Sequence, residues 1–137
     1  MKKVAFCNPF LERPTDQYIE AMEKSIPHIL DAGYSEFVVQ QKGCPYISWA
    51  RSHMLQRALL NDADIIVFLD YDLSWGEKDL LTLIETEGDV VSGLYRFKTE
   101  EEKYMGSIVC NDEFIPSMLD DGCIEGDRIP AGFLKIT

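Results

Sequence analysis

Two carboxylates one residue apart, Asp70 and Asp72, follow directly on the apolar run Ile65-Ile66-Val67-Phe68-Leu69. In extended chain, residues two apart project to the same side, so both acids are expected to face one space with Tyr71 turned away. Carboxylates that close repel, and the pKa of one rises unless a cation lies between them. Oxygen-only donors suit a hard divalent ion, Mn²⁺ or Mg²⁺, which one or two carboxylates commonly hold together with substrate phosphates. Asp is also common in solvated turns. The apolar strand before the triplet and the helix-capping pattern after it favour the metal reading, with Asp70 and Asp72 as ligands.

Arg51 is the second clue. Between Ile47 and Leu60 the apolar positions 47, 50, 54, 55, 58 and 59 follow helical spacing, and on that wheel Arg51 falls inside the apolar arc. An arginine there must be paired or must snorkel out. It lies in the first turns, near the helix end that favours anions. Its guanidinium suits a phosphate or one of the two Asp carboxylates. Arg57, at the edge of the stripe, reads as surface.

Asn8-Pro9 follows the first predicted strand at the same sheet edge and is a candidate ligand contact, although a plain turn fits equally. Gln40 and Gln41 end the second strand, where they could hydrogen-bond a base. Gly132 interrupts a short apolar stretch, as a close backbone approach or a bulge would require. Trp49 and Trp75 read as packing before stacking platforms. Cys7, Cys44, Cys110 and Cys123 are dispersed, with no Cys-x-x-Cys and no His at zinc-ligand spacing. The motifs of acyl transfer, P-loop hydrolysis and dinucleotide redox are absent.

The elements that must position these residues alternate. Strands are expected at Val4–Cys7, breaking at Asn8-Pro9, and at Glu36–Gln40, Asp64–Leu69, Asp89–Tyr95 and Ala131–Ile136. Helices are expected from Thr15 to Asp31, with a kink or break at Pro27, and from Ile47 to Leu60. A third opens on the Ser74-x-x-Glu77 capping box and runs to Thr86. Ser107 to Ile115 reads as a hairpin turning at Asn111-Asp112. Strand–helix alternation predicts an α/β layered fold with a largely parallel sheet, and a ligand at the carboxyl ends of its strands.

Length and charge narrow the choice. The 137 residues suit one domain spanning 1–137. No apolar run approaches the ~20 residues of a membrane span. Met1-Lys2-Lys3 precedes too short an apolar stretch for a secretory signal, and four thiols then fit a reducing cytoplasm. The net charge is −11, and positions 85–127 hold twelve acids against three bases, Arg96, Lys98 and Lys103. Such a surface repels nucleic acid and anionic lipid. It also repels a phosphorylated small molecule unless a cation bridges the two.

The chain resembles glycosyltransferases of the A-type fold, nearest the short family-2-like enzymes of phages and large viruses. The resemblance rests on VAFCNP, ISWARSHMLQRALLNDADIIVFLDYDLSW, DVVSGLYRFK and IPAGFLKI, in that order. It implies a Rossmann-like αβα nucleotide-binding fold and metal-assisted transfer from a UDP- or GDP-sugar to a sugar or glycan acceptor, in the cytoplasm (the host's, for a viral enzyme). It also implies that Asp70 and Asp72 bind the donor diphosphate through Mn²⁺ or Mg²⁺, that Arg51, Asn8 and Pro9 contact the nucleotide, and that Gly132 lies where donor and acceptor meet.

Two departures stand out. Gln40-Gln41 takes the place of the acidic residue that binds the base in many relatives. The acidic pair that supplies a general base lies beyond the Gly-Phe pattern in relatives, whereas this chain ends at Thr137, as though truncated after the donor-binding half. No catalytic residue is singled out; Asp120, Asp121 and Asp127 lie in the right part of the chain. Two alternatives stay open. One is a nucleotide-sugar-binding module without catalysis. The other is a haloacid-dehalogenase-like phosphohydrolase with Asp70 as nucleophile. Homo-oligomerisation is left open.

Overall fold

The computed structural model describes residues 1–96 and 99–137. It is an α/β protein whose chain divides into two compact units, Met1–Val91 with Ala131–Thr137, and Ser92–Pro130.

The first unit carries the alternating elements. Strands β1 (Lys3–Phe10), β2 (Ser35–Lys42) and β3 (Ile65–Leu69) are joined by helices α1 (Asp16–Asp31) and α2 (Ile47–Leu60). Helix α3 (Asp79–Glu85), β4 (Val90–Ser92) and, after the second unit, β7 (Phe133–Ile136) follow. The sheet order is β2-β1-β3-β7-β4. β1 pairs in parallel with β2 and with β3, whereas β7 runs antiparallel to β3, Leu69 opposite Phe133. The sheet is therefore mixed.

Side-chain alternation explains the layering. In β1, Val4 and Phe6 join a core with Tyr18 and Ile29 of α1 and Leu80, Leu83 and Ile84 of α3. Ala5 and Cys7 point the other way, onto Met54 and Ala58 of α2. β3 does the same, Ile65, Val67 and Leu69 on one face and Ile66 and Phe68 on the other, so every residue of it is buried. The first crossover moves one way from β1 and the second returns past it. Right-handed connections then put α1 and α2 on opposite faces.

Several boundaries differ from the sequence expectation. β1 does not break at Asn8-Pro9 but pairs with β2 as far as Phe10. Pairing with β3 stops at Cys7, and a proline is tolerated where a strand has one side free. α1 runs unbroken through Pro27, opened by the Thr15 hydroxyl, which accepts from the Tyr18 N–H at 3.2 Å. α3 does not start at the Ser74 capping box; its first turn is preceded by the Asp79 carboxylate accepting from the Gly76 N–H at 2.8 Å. The buried Lys135 ammonium donates to the Thr86 carbonyl at the end of that helix, where a cation is favoured. The strand expected over 89–95 is only Val90–Ser92, and the one over 131–136 starts at Phe133. Of the segment DVVSGLYRFK, Phe97 and Lys98 lie outside the described residues.

In the second unit, β5 (Ser107–Ile108) pairs antiparallel with β6 (Gly126–Arg128). Isolated bridges join Arg96 to Tyr104, Cys110 to Pro116 and Met118 to Ile124. The expected hairpin turns later than Asn111-Asp112, across Asn111–Ile115, because the Asn111 carboxamide accepts from the Glu113 and Ile115 N–H groups, each at 2.9 Å. Its return strand lies beyond Ile115. No helix among the described residues is long and apolar enough to cross a membrane.

Candidate functional site

The strand order reverses direction at β1, between β2 on one side and β3 on the other. The crevice outside the carboxyl ends of β1 and β3 is where an open α/β sheet receives a ligand. Asn8, Arg51, Asp70 and Gly132 all meet the end of β3.

Asp70 continues the parity of Ile66 and Phe68 toward the α2 face, and there Arg51 Nη2 donates to its Oδ1 at 3.0 Å. Both side chains are part-exposed, at 26% and 30%. The Asp70 N–H donates to the Gly132 carbonyl at 2.8 Å, extending the β3–β7 ladder by one position. Gly132 thus meets the end of β3 through its backbone. Arg51 reaches the edge from the first turns of α2, as its place on the helical wheel requires.

One donor of Arg51 is unsatisfied. Its Nε is buried and has no hydrogen-bond partner among the described residues. A buried orphan donor is costly, and on a guanidinium it asks for an acceptor such as a phosphate or carboxylate oxygen.

Asn8 is engaged within the fold. It follows Val4 and Phe6 onto the α1 face, is 2% exposed, and its amide donates to the Tyr18 hydroxyl and, at 3.1 Å, to the Leu69 carbonyl. It ties the ends of β1 and β3 to α1. Pro9 beside it is buried as well. Burial pushes the Tyr18 phenol up, and the Asn8 hydrogen bond opposes this.

The acids are arranged differently from the extended pair expected. The Leu73 N–H donates to the Asp70 carbonyl at 3.3 Å, so Asp70–Leu73 is a turn, and residues two apart no longer share a side by strand alternation. The turn is pinned to α1 because the Tyr71 carbonyl accepts from the Thr15 N–H at 3.0 Å. Asp72 is half-buried. Two Cα atoms two positions apart are separated by at most about 7 Å in any turn, within reach of one ion. A pair of carboxylates is a donor set that suits a hard divalent cation, and Asp70 and Asp72 are the residues that would hold one. Among the described residues no group of three or more metal-ligating side chains assembles. Two carboxylates leave the remaining coordination positions to ligand oxygens.

The other candidates disperse. Gln40 and Gln41 pair with Asn8 and Pro9, and Arg57, which sequence reasoning took for plain surface, donates to the Gln40 carbonyl at 3.0 Å. Trp75 is packing: its indole donates to the buried Ser25 hydroxyl at 3.0 Å and its ring touches Tyr18 and Phe133. Trp49 is 56% exposed and stacks on His53. Burial pushes the Cys7 thiol up to about 12, with Arg57 opposing, so it is no nucleophile at neutral pH. Asp120, Asp121 and Asp127 are exposed residues of the second unit. Compared with protein-family models, with curated proteins and with solved structures, the chain matches none.

Proposed function

We propose that this protein is a metal-dependent glycosyltransferase that takes its sugar from a nucleoside-diphosphate donor, on a Rossmann-like fold of the A type. The observation that carries the reading is the part-exposed Arg51–Asp70 pair at the strand switch point, whose Arg51 Nε–H has no acceptor among the described residues. A diphosphate oxygen would meet the part-exposed side of that guanidinium. Asp70 and Asp72 would hold Mn²⁺ or Mg²⁺, which offsets the charge of a departing nucleoside diphosphate when bound. That also answers how a chain of net charge −11 retains a diphosphate.

The chain's own residues supply positioning. Arg51 holds the phosphates as a planar fork, the Asn8 knot fixes the strand end that carries Asp70, and Gly132 keeps the edge free of a side chain. A donor-binding module without catalysis shares all of these features, and donor turnover separates the two.

The test is a thermal-shift panel of nucleoside diphosphates with and without Mn²⁺, run beside a donor-hydrolysis assay. Metal-dependent stabilisation by at least one nucleotide, lost in Asp72→Ala, is expected. Stabilisation without sugar release would leave the binding module. No shift with any nucleotide would refute both, and aryl phosphatase activity abolished by Asp70→Asn would put the phosphohydrolase in their place.

A further inference from the structure

The second unit presents an unusual surface. Among its described residues Ile108, Phe114, Ile115, Met118, Leu119 and Ile124 are all more than 40% exposed, and none of the buried hydrophobic residues of the chain falls between Ser92 and Pro130. A unit this small rarely stands without a core unless something covers it. Exposed apolar residues concentrated in one small unit point to an interaction surface.

The backbone shows how the patch is built. The Ser117 N–H donates to the Val109 carbonyl, the Val109 N–H to that of Glu125, and the Glu125 N–H to that of Ser117, each at 2.9 Å. Three chain segments, eight residues apart, close into a ring. Positive-φ positions recur at the same spacing, one ahead of each segment: Gly106, Phe114 and Gly122 have φ of 110°, 60° and 85°. At two of the three positions the left-handed backbone is met by glycine, as sterics require. At the third stands phenylalanine, 87% exposed. A bulky residue held in that conformation with its ring in solvent calls for a role outside the fold.

Acids frame the apolar groups. Asp112 and Glu113 precede Phe114 in one turn, and Asp120 and Asp121 precede Gly122 in the next. Apolar side chains beside carboxylates complement an apolar segment flanked by Lys or Arg. A second copy of this chain, itself at −11, would bring acid against acid. We propose that the hairpin ring at 107–128 docks a basic protein segment whose aliphatic or aromatic side chains pack on Phe114, Ile115 and Met118. This inference stands apart from the transferase reading.

Phe114→Gly gives a clean test, because it removes the ring while supplying the residue the backbone prefers. The probes are labelled peptides of alternating leucine and lysine, leucine and glutamate, and serine and lysine, followed by fluorescence anisotropy with the full chain at physiological salt. The leucine–lysine peptide is expected to bind about tenfold or more tightly than either of the others. Phe114→Gly should weaken it about tenfold while the Tm holds or rises. Absence of binding, equal binding of the serine–lysine peptide, or unchanged binding by Phe114→Gly would overturn the proposal. So would sedimentation showing a dimer that Phe114→Gly dissociates, since a second copy would then be the occupant.

Discussion

Replacing Asn8 by alanine separates a ligand contact from a structural knot. Asn8 is 2% exposed, and its amide bonds both the Tyr18 hydroxyl and the Leu69 carbonyl. Alanine would leave both groups without that partner in a site closed to water. Each buried polar group so abandoned costs about 1–3 kcal/mol, which sums to about 2–4 kcal/mol if the cavity admits some relaxation. That is a large share of the ~5–15 kcal/mol by which a domain is stable. Urea unfolding would register it as a lower midpoint at unchanged slope. Tyr18→Phe supplies the second arm of a double-mutant cycle. Because the two residues share one bond, the double variant should lose less than the sum of the singles by about 1 kcal/mol. If Asn8→Ala unfolds within about 0.5 kcal/mol of the parent yet no longer binds a metal–nucleotide, the knot is not what Asn8 does and the reasoning fails.

Four further outcomes are expected. Pro27 is exposed within α1, so Pro27→Ala should raise stability by about 1–2 kcal/mol, helix propensity outweighing the lost stiffness of the unfolded chain; a lower Tm would contradict this. At pH 8 (well below the Cys7 thiol's value of about 12), iodoacetamide should modify the exposed Cys110 and spare Cys7 until the chain unfolds, as mass spectrometry would read. The stability carried by that neutral thiol is complete below its ordinary value of 9.0 and is lost as pH rises toward about 12, so Cys7→Ala should show a shallower alkaline fall in Tm. Arg51→Met should cost at most about 1 kcal/mol of stability, since the pair is part-exposed, yet weaken metal-dependent nucleotide binding about tenfold in calorimetry; undiminished affinity would remove Arg51 from the site.

How far the sequence disclosed this molecule depends on how local each signal is. α2 came out with its predicted ends and β3 one residue short at its start, because a helical stripe and a five-residue apolar run are legible without knowing the rest. β1 outran its signal, since pairing with β2 carried it past Pro9. Ser74 and Glu77 imitate a cap, but the turn is organised by Asp79 and Gly76 instead. The second unit is built of two- and three-residue strands, too short for any period to register. Its turn at Phe114 takes a left-handed backbone that only a glycine would have announced. At the site, the parity of β3 pointed Asp70 toward Arg51, but nothing local revealed that the chain turns at once or that Asn8 is spoken for by Tyr18.

The electrostatics of the β3 end bear on why an arginine sits there at all. Two carboxylates at the tip of a buried strand, in a chain of net charge −11, repel one another and any anionic ligand brought to that edge. Arg51 offsets this without closing the site, because among the described residues it engages one oxygen of Asp70 through a single 3.0 Å bond while its side chain stays part-exposed. A lysine could neutralise Asp70 but has no second directed donor on the same rigid plane. A purely structural ion pair, conversely, would gain by turning the fork to bind both carboxylate oxygens. The half-used guanidinium is thus better suited to an edge that awaits an anionic ligand than to one whose only task is stability.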